Sequence, residues 1–244
     1  MNGSTWWLDV LPLSLLAGVI GLDVVSFPQA MISRPIVAAT LGGAFVGAPF
    51  AGLVCGAALE CLALEALPVG ASRYPEWGSA SVVAGAVAAT GATAGGPAGG
   101  PAGAMPLAGA FVVAVALGIA TAWIGGLTMI KHRQIIARFA RPRLGQLAAG
   151  NRNTVVGLQV FGMTLDLVRA ALLGAVCFIP GHLLAVQVNG RWSVPEDLSR
   201  AIVVTCVAAV AAASVWKDFH AISGTRRLFL ISLAVGTLMV VLGA

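Results

Sequence analysis

Between Leu107 and Ile130 the chain carries no charged side chain. A run of that length has one natural use. A hydrocarbon core of about 30 Å takes about 20 apolar residues per helical crossing, and every backbone amide inside it must be bonded within its own helix. Further apolar runs cover about Leu8 to Val25, Ile36 to Leu67, Ser79 to Thr90, Val155 to Val188, Ala201 to Trp216 and Leu228 to Gly243. The pattern predicts an all-α, polytopic integral membrane protein with about six to eight hydrophobic segments, some of them broken or re-entrant. With 59% of residues hydrophobic and 9% charged, there is too little polar surface for a separate soluble domain, so residues 1–244 are read as one membrane domain. No Lys or Arg precedes the first apolar run and no clear cleavage site follows it, which argues against a removed signal peptide.

The formal charge of +5 does not indicate a nucleic-acid partner. Six of the fourteen basic residues fall between Lys131 and Arg152, beside the longest clean span. Basic segments next to membrane helices mark the cytoplasmic side, so 131–153 is expected to be a basic cytoplasmic loop. If 217–227 is cytoplasmic too, the segments 155–188 and 201–216 form a there-and-back pair with 189–200 outside.

Glycine and proline punctuate the rest. Gly42, Gly43, Gly47, Pro49, Gly52 and Gly56 interrupt a run longer than one crossing needs, which predicts close backbone packing or broken helices. Residues 91–106, GATAGGPAGGPAGAMP, are expected to form a Gly/Pro-rich loop. Val155 to Val188 is long for one helix, and a break near Pro180 is expected. Cys55, Cys61, Cys177 and Cys206 lie singly in apolar surroundings and read as buried small hydrophobes. No metal or cofactor set stands out. His132, His182 and His220 have no acid or nucleophile at informative spacing, so nothing predicts an intramembrane enzyme.

The charged residues within apolar sequence are the candidates for function, because an ionisable group in hydrocarbon costs several kcal/mol unless it faces a cavity or a partner. Two carboxylates, Glu60 and Glu65, stand in the Gly-rich block that opens at Arg34-Pro35. Glu65 is about 140° round a helix from Glu60 and reads as half of a structural ion pair. Arg34 reads as a helix-start anchor. Asp166 and Arg169, three apart, share a helix face and predict an intrahelical salt bridge. Trp6, Trp7, Trp192 and Trp216 fit an interfacial aromatic belt, whereas Trp77 stands beside Glu76.

The run Arg34-Pro35-Ile36-Val37-Ala38-Ala39-Thr40-Leu41, followed by Gly47, Gly52, Gly56, Leu59-Glu60, Ala63-Leu64, Val69-Gly70-Ala71 and Pro75, resembles the IIC subunit of mannose/fructose/sorbose-type permeases of the phosphotransferase system (PTS). Ala104-Met105-Pro106-Leu107-Ala108, Gly150-Asn151 and Leu167-Val168-Arg169 continue the resemblance. It implies a sugar-translocating subunit in the bacterial cytoplasmic (inner) membrane, working as a hetero-oligomer with a IID membrane subunit. Cytoplasmic IIA and IIB carry the phosphoryl group in that family, so this chain supplies no phosphoryl-carrying residue and needs no cofactor. Asp23 and Gln29 correspond in type to the acidic, Gln-containing segment before the family's Arg-Pro helix, and Pro75-Glu76 stands where the family has Pro-Asp.

A sugar's hydroxyls both donate and accept, so its pocket wants carboxylates and amides on bent backbone. Glu60, Glu76, Gln29 and Asp23 are the expected hydroxyl-binding residues, and Trp77 the ring against the sugar's apolar face. The competing reading of Glu60 is a pair with Arg34 or Arg73 that locks a hairpin to its scaffold. Gly47-Ala48 replaces the family's usual Gly-Asp, and the chain ends at Ala244, one hydrophobic segment earlier than typical members. These departures make a non-transporting structural or regulatory subunit the alternative, with a PTS-independent small-solute transporter as a further one.

Overall fold

The computed structural model describes residues 10–24, 26–64, 74–94, 108–220 and 222–242, and all regular structure among them is helical. The helices are α1 (Val10–Leu22), α2 (Pro35–Val46), α3 (Pro49–Ala63), α4 (Trp77–Ala94), α5 (Ala108–Ala140), α6 (Leu144–Ala148), α7 (Arg152–Arg191), α8 (Glu196–Phe219) and α9 (Thr225–Leu242), with a 3-10 turn at Arg141–Arg143 between α5 and α6. Three of them, α5 with its extension, α7 and α8, are long and apolar enough to cross a membrane, and α1 to α4 are shorter apolar helices.

The bundle is built around α4. Every residue from Gly78 to Thr90 is buried, and α4 packs against α1, α2, α3, α5 and α7. Its sequence is mostly Ala, Gly, Ser and Val, which lets five neighbours approach closely; small residues take the place that bulky side chains have in a soluble core.

The long apolar run from Ile36 becomes a tight hairpin. Pro35 occupies the first turn of α2, where its missing N–H costs nothing. Gly47 ends that helix in the left-handed region (φ 93°), the Gly47 N–H donates to Ala44 O, and the Ala48 N–H donates to Gly43 O at 2.9 Å. This is the Schellman arrangement that satisfies a helix's last carbonyls. Pro49 then starts α3. At 12 and 15 residues, α2 and α3 are only about 18 and 22 Å long, too short to cross a core of about 30 Å upright. The two arms touch backbone to backbone: a Cβ on Gly43 would sit 2.8 Å from Gly52 Cα.

Two long helices correct the sequence reading. The segment expected as a loop over 131–153 is largely helical, because α5 continues to Ala140 and the 3-10 turn and α6 carry the chain to Ala148. Ile135, Ile136 and Phe139 keep a helical apolar spacing beneath the charges, and Phe139 packs on Phe161 of α7 with ring centroids 4.7 Å apart. The expected break near Pro180 is absent, since α7 runs unbroken from Arg152 to Arg191 with Pro180 inside it. Buried Phe178 and His182 flank the proline, and a Cβ on Gly181 would strike Leu117 and Val87. Packing on α4 and α5 therefore holds the helix together where proline alone would break it. A smaller correction concerns the Gly/Pro segment, where α4 extends to Ala94; residues 95–106 lie outside the described ones.

Asn151 caps α7, its side-chain oxygen accepting from the Thr154 N–H at 3.2 Å. Asn151→Ala is expected to cost about 1 kcal/mol, read as a small fall in the thermal midpoint of the purified protein. At the flank, α8 reaches the hairpin through Ser214, whose hydroxyl donates to Cys61 O at 2.8 Å. Beyond it, α9 exposes Leu228, Ile231, Leu233 and Leu238.

Candidate functional site

The residue after α1 organises the site. Asp23 is 2% exposed, and its carboxylate accepts from the Ala30 N–H (2.6 Å), the Ser33 N–H (2.9 Å) and the Ser33 hydroxyl (2.8 Å). Burial pushes this carboxyl up, but the donors from Ser33 and Ala30 outweigh it and hold it below the ordinary carboxylate range. One ionised side chain thus folds the connector between α1 and α2 back onto the bundle. Within that connector Gln29 (φ 59°) and Met31 (φ 62°) take the left-handed conformation, which costs non-glycine residues about 1 kcal/mol or more each. Strain of this kind persists where surrounding structure imposes it.

Beside the connector lies a cavity of about 400 Å³ lined by Asp23, Gln29, Ser33, Arg34, Tyr74 and Trp77, with Pro35, Ala63 and Pro75 among the apolar groups of its wall. Its size falls in the range of about 300–1,000 Å³ typical of small-molecule sites. The lining combines a carboxylate, an amide, a guanidinium and two aromatic rings, which can bind hydroxyls and cover an apolar sugar face. Three of the residues expected from sequence, Asp23, Gln29 and Trp77, therefore stand together.

Glu60 and Glu76 stand elsewhere. Glu60, on α3, pairs with the Arg34 guanidinium and accepts from the Ile36 N–H at 3.1 Å. The pair ties the far end of α3 to the start of α2, and it supplies a carboxylate to the positive end of a helix whose first N–H groups lack partners. Arg34 lines the cavity whereas Glu60 does not, so Glu60 meets the cavity through Arg34.

Glu76 is fully buried and does not line the cavity. One of its carboxylate oxygens accepts from the Ser79 N–H at 3.0 Å and the other from the Ser79 hydroxyl; the Arg169 guanidinium lies 3.7 Å away. Arg169 also meets Asp166 at 2.8 Å and donates to Thr128 Oγ at 3.0 Å. The Ser26 hydroxyl reaches the other Asp166 oxygen at 3.5 Å. Gly125 makes room, since a Cβ there would sit 2.8 Å from Glu76 Cβ. The result is a chain of charges, Glu76, Arg169 and Asp166, that fastens the start of α4 to α5 and α7 behind the cavity.

Glu65, expected in a structural pair, and Arg73, the alternative partner for Glu60, lie outside the described residues. Sequence reasoning missed Tyr74 and Ser33 as lining residues. Tyr74 is the chain's single tyrosine and adjoins Pro75-Glu76, a signal that was present; Arg133 of α5 sits over its ring, 5.5 Å from the centroid. Among the described residues no three His, Cys, Asp or Glu side chains cluster as a metal site.

Comparison with known proteins agrees with the architecture. The family described as the PTS system sorbose-specific IIC component matches residues 7–202. No curated protein matches the chain. The match spans most of the chain and includes the hairpin, the connector and the Glu76–Arg169–Asp166 network. This all-helical membrane protein belongs to the family of PTS sorbose-specific IIC components.

Proposed function

We propose that this chain is the sugar-translocating IIC subunit of a bacterial inner-membrane permease, binding a hexose or amino sugar in the Asp23–Gln29–Trp77 cavity and delivering it to cytoplasmic IIB for phosphorylation. The observation that carries the reading is the cavity itself: about 400 Å³, with Asp23, Gln29, Arg34, Tyr74 and Trp77 on one wall-to-wall surface. Asp23 is committed to the connector, so its part is to hold Gln29 in place, with Gln29 and Arg34 meeting hydroxyls and Trp77 covering the ring. Glu60 acts through Arg34, and Glu76 through the scaffold. IID and the cytoplasmic IIA and IIB are the partners this reading requires.

The test is equilibrium binding of a hexose and amino-sugar panel to the chain purified with its IID subunit. One sugar should bind saturably. Gln29→Ala and Trp77→Ala are expected to weaken it by about tenfold or more, since each removes about 1.4 kcal/mol or more of contact; Gln29→Ala should leave the thermal midpoint near wild type, whereas Trp77→Ala should also lower it, because Trp77 packs against the core. Asp23→Asn should weaken it as well and lower the midpoint, because a neutral amide accepts less strongly from the three donors of the connector. Absence of saturable binding by the folded complex would overturn the proposal and favour the structural or regulatory subunit; uptake that persists without IIA and IIB would favour the PTS-independent transporter.

A further inference from the structure

A second polar cavity, of about 300 Å³, lies between α5, α7 and the connector after α1. Its polar lining is Ser26, His132, Arg133, Gln159 and Asp166, and methionine and aliphatic side chains make up most of the rest. Two of these groups are more than nine-tenths buried and keep open hydrogen-bonding capacity. His132 is 8% exposed, and its Nε2 lies 3.1 Å from Gly162 O. A carbonyl only accepts, so Nε2 holds the proton and Nδ1 of the neutral ring is an acceptor. Among the described residues Nδ1 has no hydrogen-bond partner. Asp166, 2% exposed, gives Oδ1 to Arg169, while its Oδ2 meets the Ser26 hydroxyl at 3.5 Å, a long contact for a hydroxyl donor. Buried polar atoms are nearly always paired, and these two acceptors together call for donors from a bound molecule.

The cavity stands beside the proposed sugar site. Asp23 and Ser26, on one connector, line the first and the second cavity respectively. Tyr74 and Arg133 are divided in the same way, and the guanidinium lies 5.5 Å from the centroid of the tyrosine ring. That ring contact and a few residues of connector are therefore the partition between the two. Along α5 the second cavity, at Met129 to Ile136, is centred about 9 Å beyond Gly126, where the backbone of Tyr74 crosses the helix. It lies toward the basic end of α5, the end that reads as cytoplasmic.

We infer that the cavity formed by Ser26, His132, Arg133, Gln159 and Asp166 is a second, inner subsite for the sugar, between the Asp23–Trp77 cavity and the cytoplasmic side. The inference rests on the permease reading above. The occupant is a neutral, polyhydroxylated ring. Its hydroxyls donate to His132 Nδ1 and Asp166 Oδ2, and its oxygens accept from Arg133 and Gln159. The Asp166 carboxylate disfavours an anion, and Arg133 disfavours a cation. A volume of about 300 Å³ is at the lower end of the range of about 300–1,000 Å³ for small-molecule sites, which suits a single ring rather than a larger glycan.

The experiment photolabels the full chain, purified with its IID subunit, using sorbose and mannose that each carry a diazirine, and maps the labelled peptides. In wild type, label should appear both around Gln29 or Trp77 and around His132 or Gly162, and excess unlabelled sugar should remove both. Gly162→Leu should fill the inner cavity, since only the end of the Ile136 side chain lies within 4 Å of an added Cβ; the inner label should be lost and the outer one kept. If the leucine disturbs folding, His132→Phe, which keeps a ring and removes its nitrogens, carries the test with the same result expected. Gln29→Ala should do the reverse, losing the outer label and keeping the inner one. Outer label alone in wild type overturns the inference and leaves the permease reading standing. So does inner label that unlabelled sugar fails to compete away, or that persists in either folded variant of the inner cavity. Label at neither cavity overturns both readings.

Discussion

Arg169→Met is expected to destabilise the folded protein by about 3–5 kcal/mol, enough to abolish recovery of a folded complex or to lower its thermal midpoint steeply. The arginine is the hub of a buried network: Glu76 is fully buried, Asp166 is 2% exposed, and both face the same guanidinium. Removing the cation leaves two carboxylates close together in a low-dielectric interior, where neither can recover its hydration. Lysine is a poor replacement. Its ammonium is a compact point charge, whereas the guanidinium reaches Asp166, Glu76 and Thr128 at once in a fixed plane. The network's destabilising element is the unpaired charge rather than the lost pair, so the triple variant Glu76→Gln/Asp166→Asn/Arg169→Met should regain most of the stability lost in the single one. A thermal-unfolding series on the purified complex checks this. A single variant within about 1 kcal/mol of wild type would show that the charges are solvated and the network is not buried.

That network also shows which parts of the molecule could be read in advance. Asp166 and Arg169 stand three apart on one helix, so their pairing follows from spacing. Glu76 joins them from far away in the chain, and no local pattern distinguishes it from Glu60, which instead meets Arg34 at the end of the hairpin. Each carboxylate needed a cation, but only the packing of α4 against α5 and α7 decides which one. The hairpin was legible because its signals are backbone signals: Pro35 at a helix start, Gly47 at a left-handed end, Pro49 at the restart. Pro180 carries the same kind of signal and misleads, because buried neighbours on two helices outweigh a local preference. The basic segment was read from its charges alone, although Ile135, Ile136 and Phe139 held the apolar spacing that makes it a helix. Residues 65–73, where the sequence also placed Glu65 and Arg73, lie outside the described structure.

Gly85→Ala is the second large effect, and its sign runs against local propensity. Alanine favours a helix interior over glycine by about 1 kcal/mol, so at an open position the substitution should stabilise. Gly157 of α7 is such a position, with nothing within 4 Å of an added methyl group. At Gly85 the methyl would meet the carbonyl and Cα of Ala39 on α2, and the reciprocal contact recurs where Gly42 meets the backbone of Val82. Those obstacles are main chain and cannot rotate away as a flexible side chain would; α2 would have to lift from α4. That movement opens the interface that seats the hairpin, including the start of α2 at Arg34 and hence one wall of the cavity. The expected cost is about 3 kcal/mol or more, at the upper end for overpacking, with sugar binding lost in whatever protein still folds. Gly157→Ala should raise the thermal midpoint slightly and leave binding intact. Equal midpoints for the two variants would mean that α2 and α4 are free to separate, and that the hairpin is not seated on its scaffold by backbone contact.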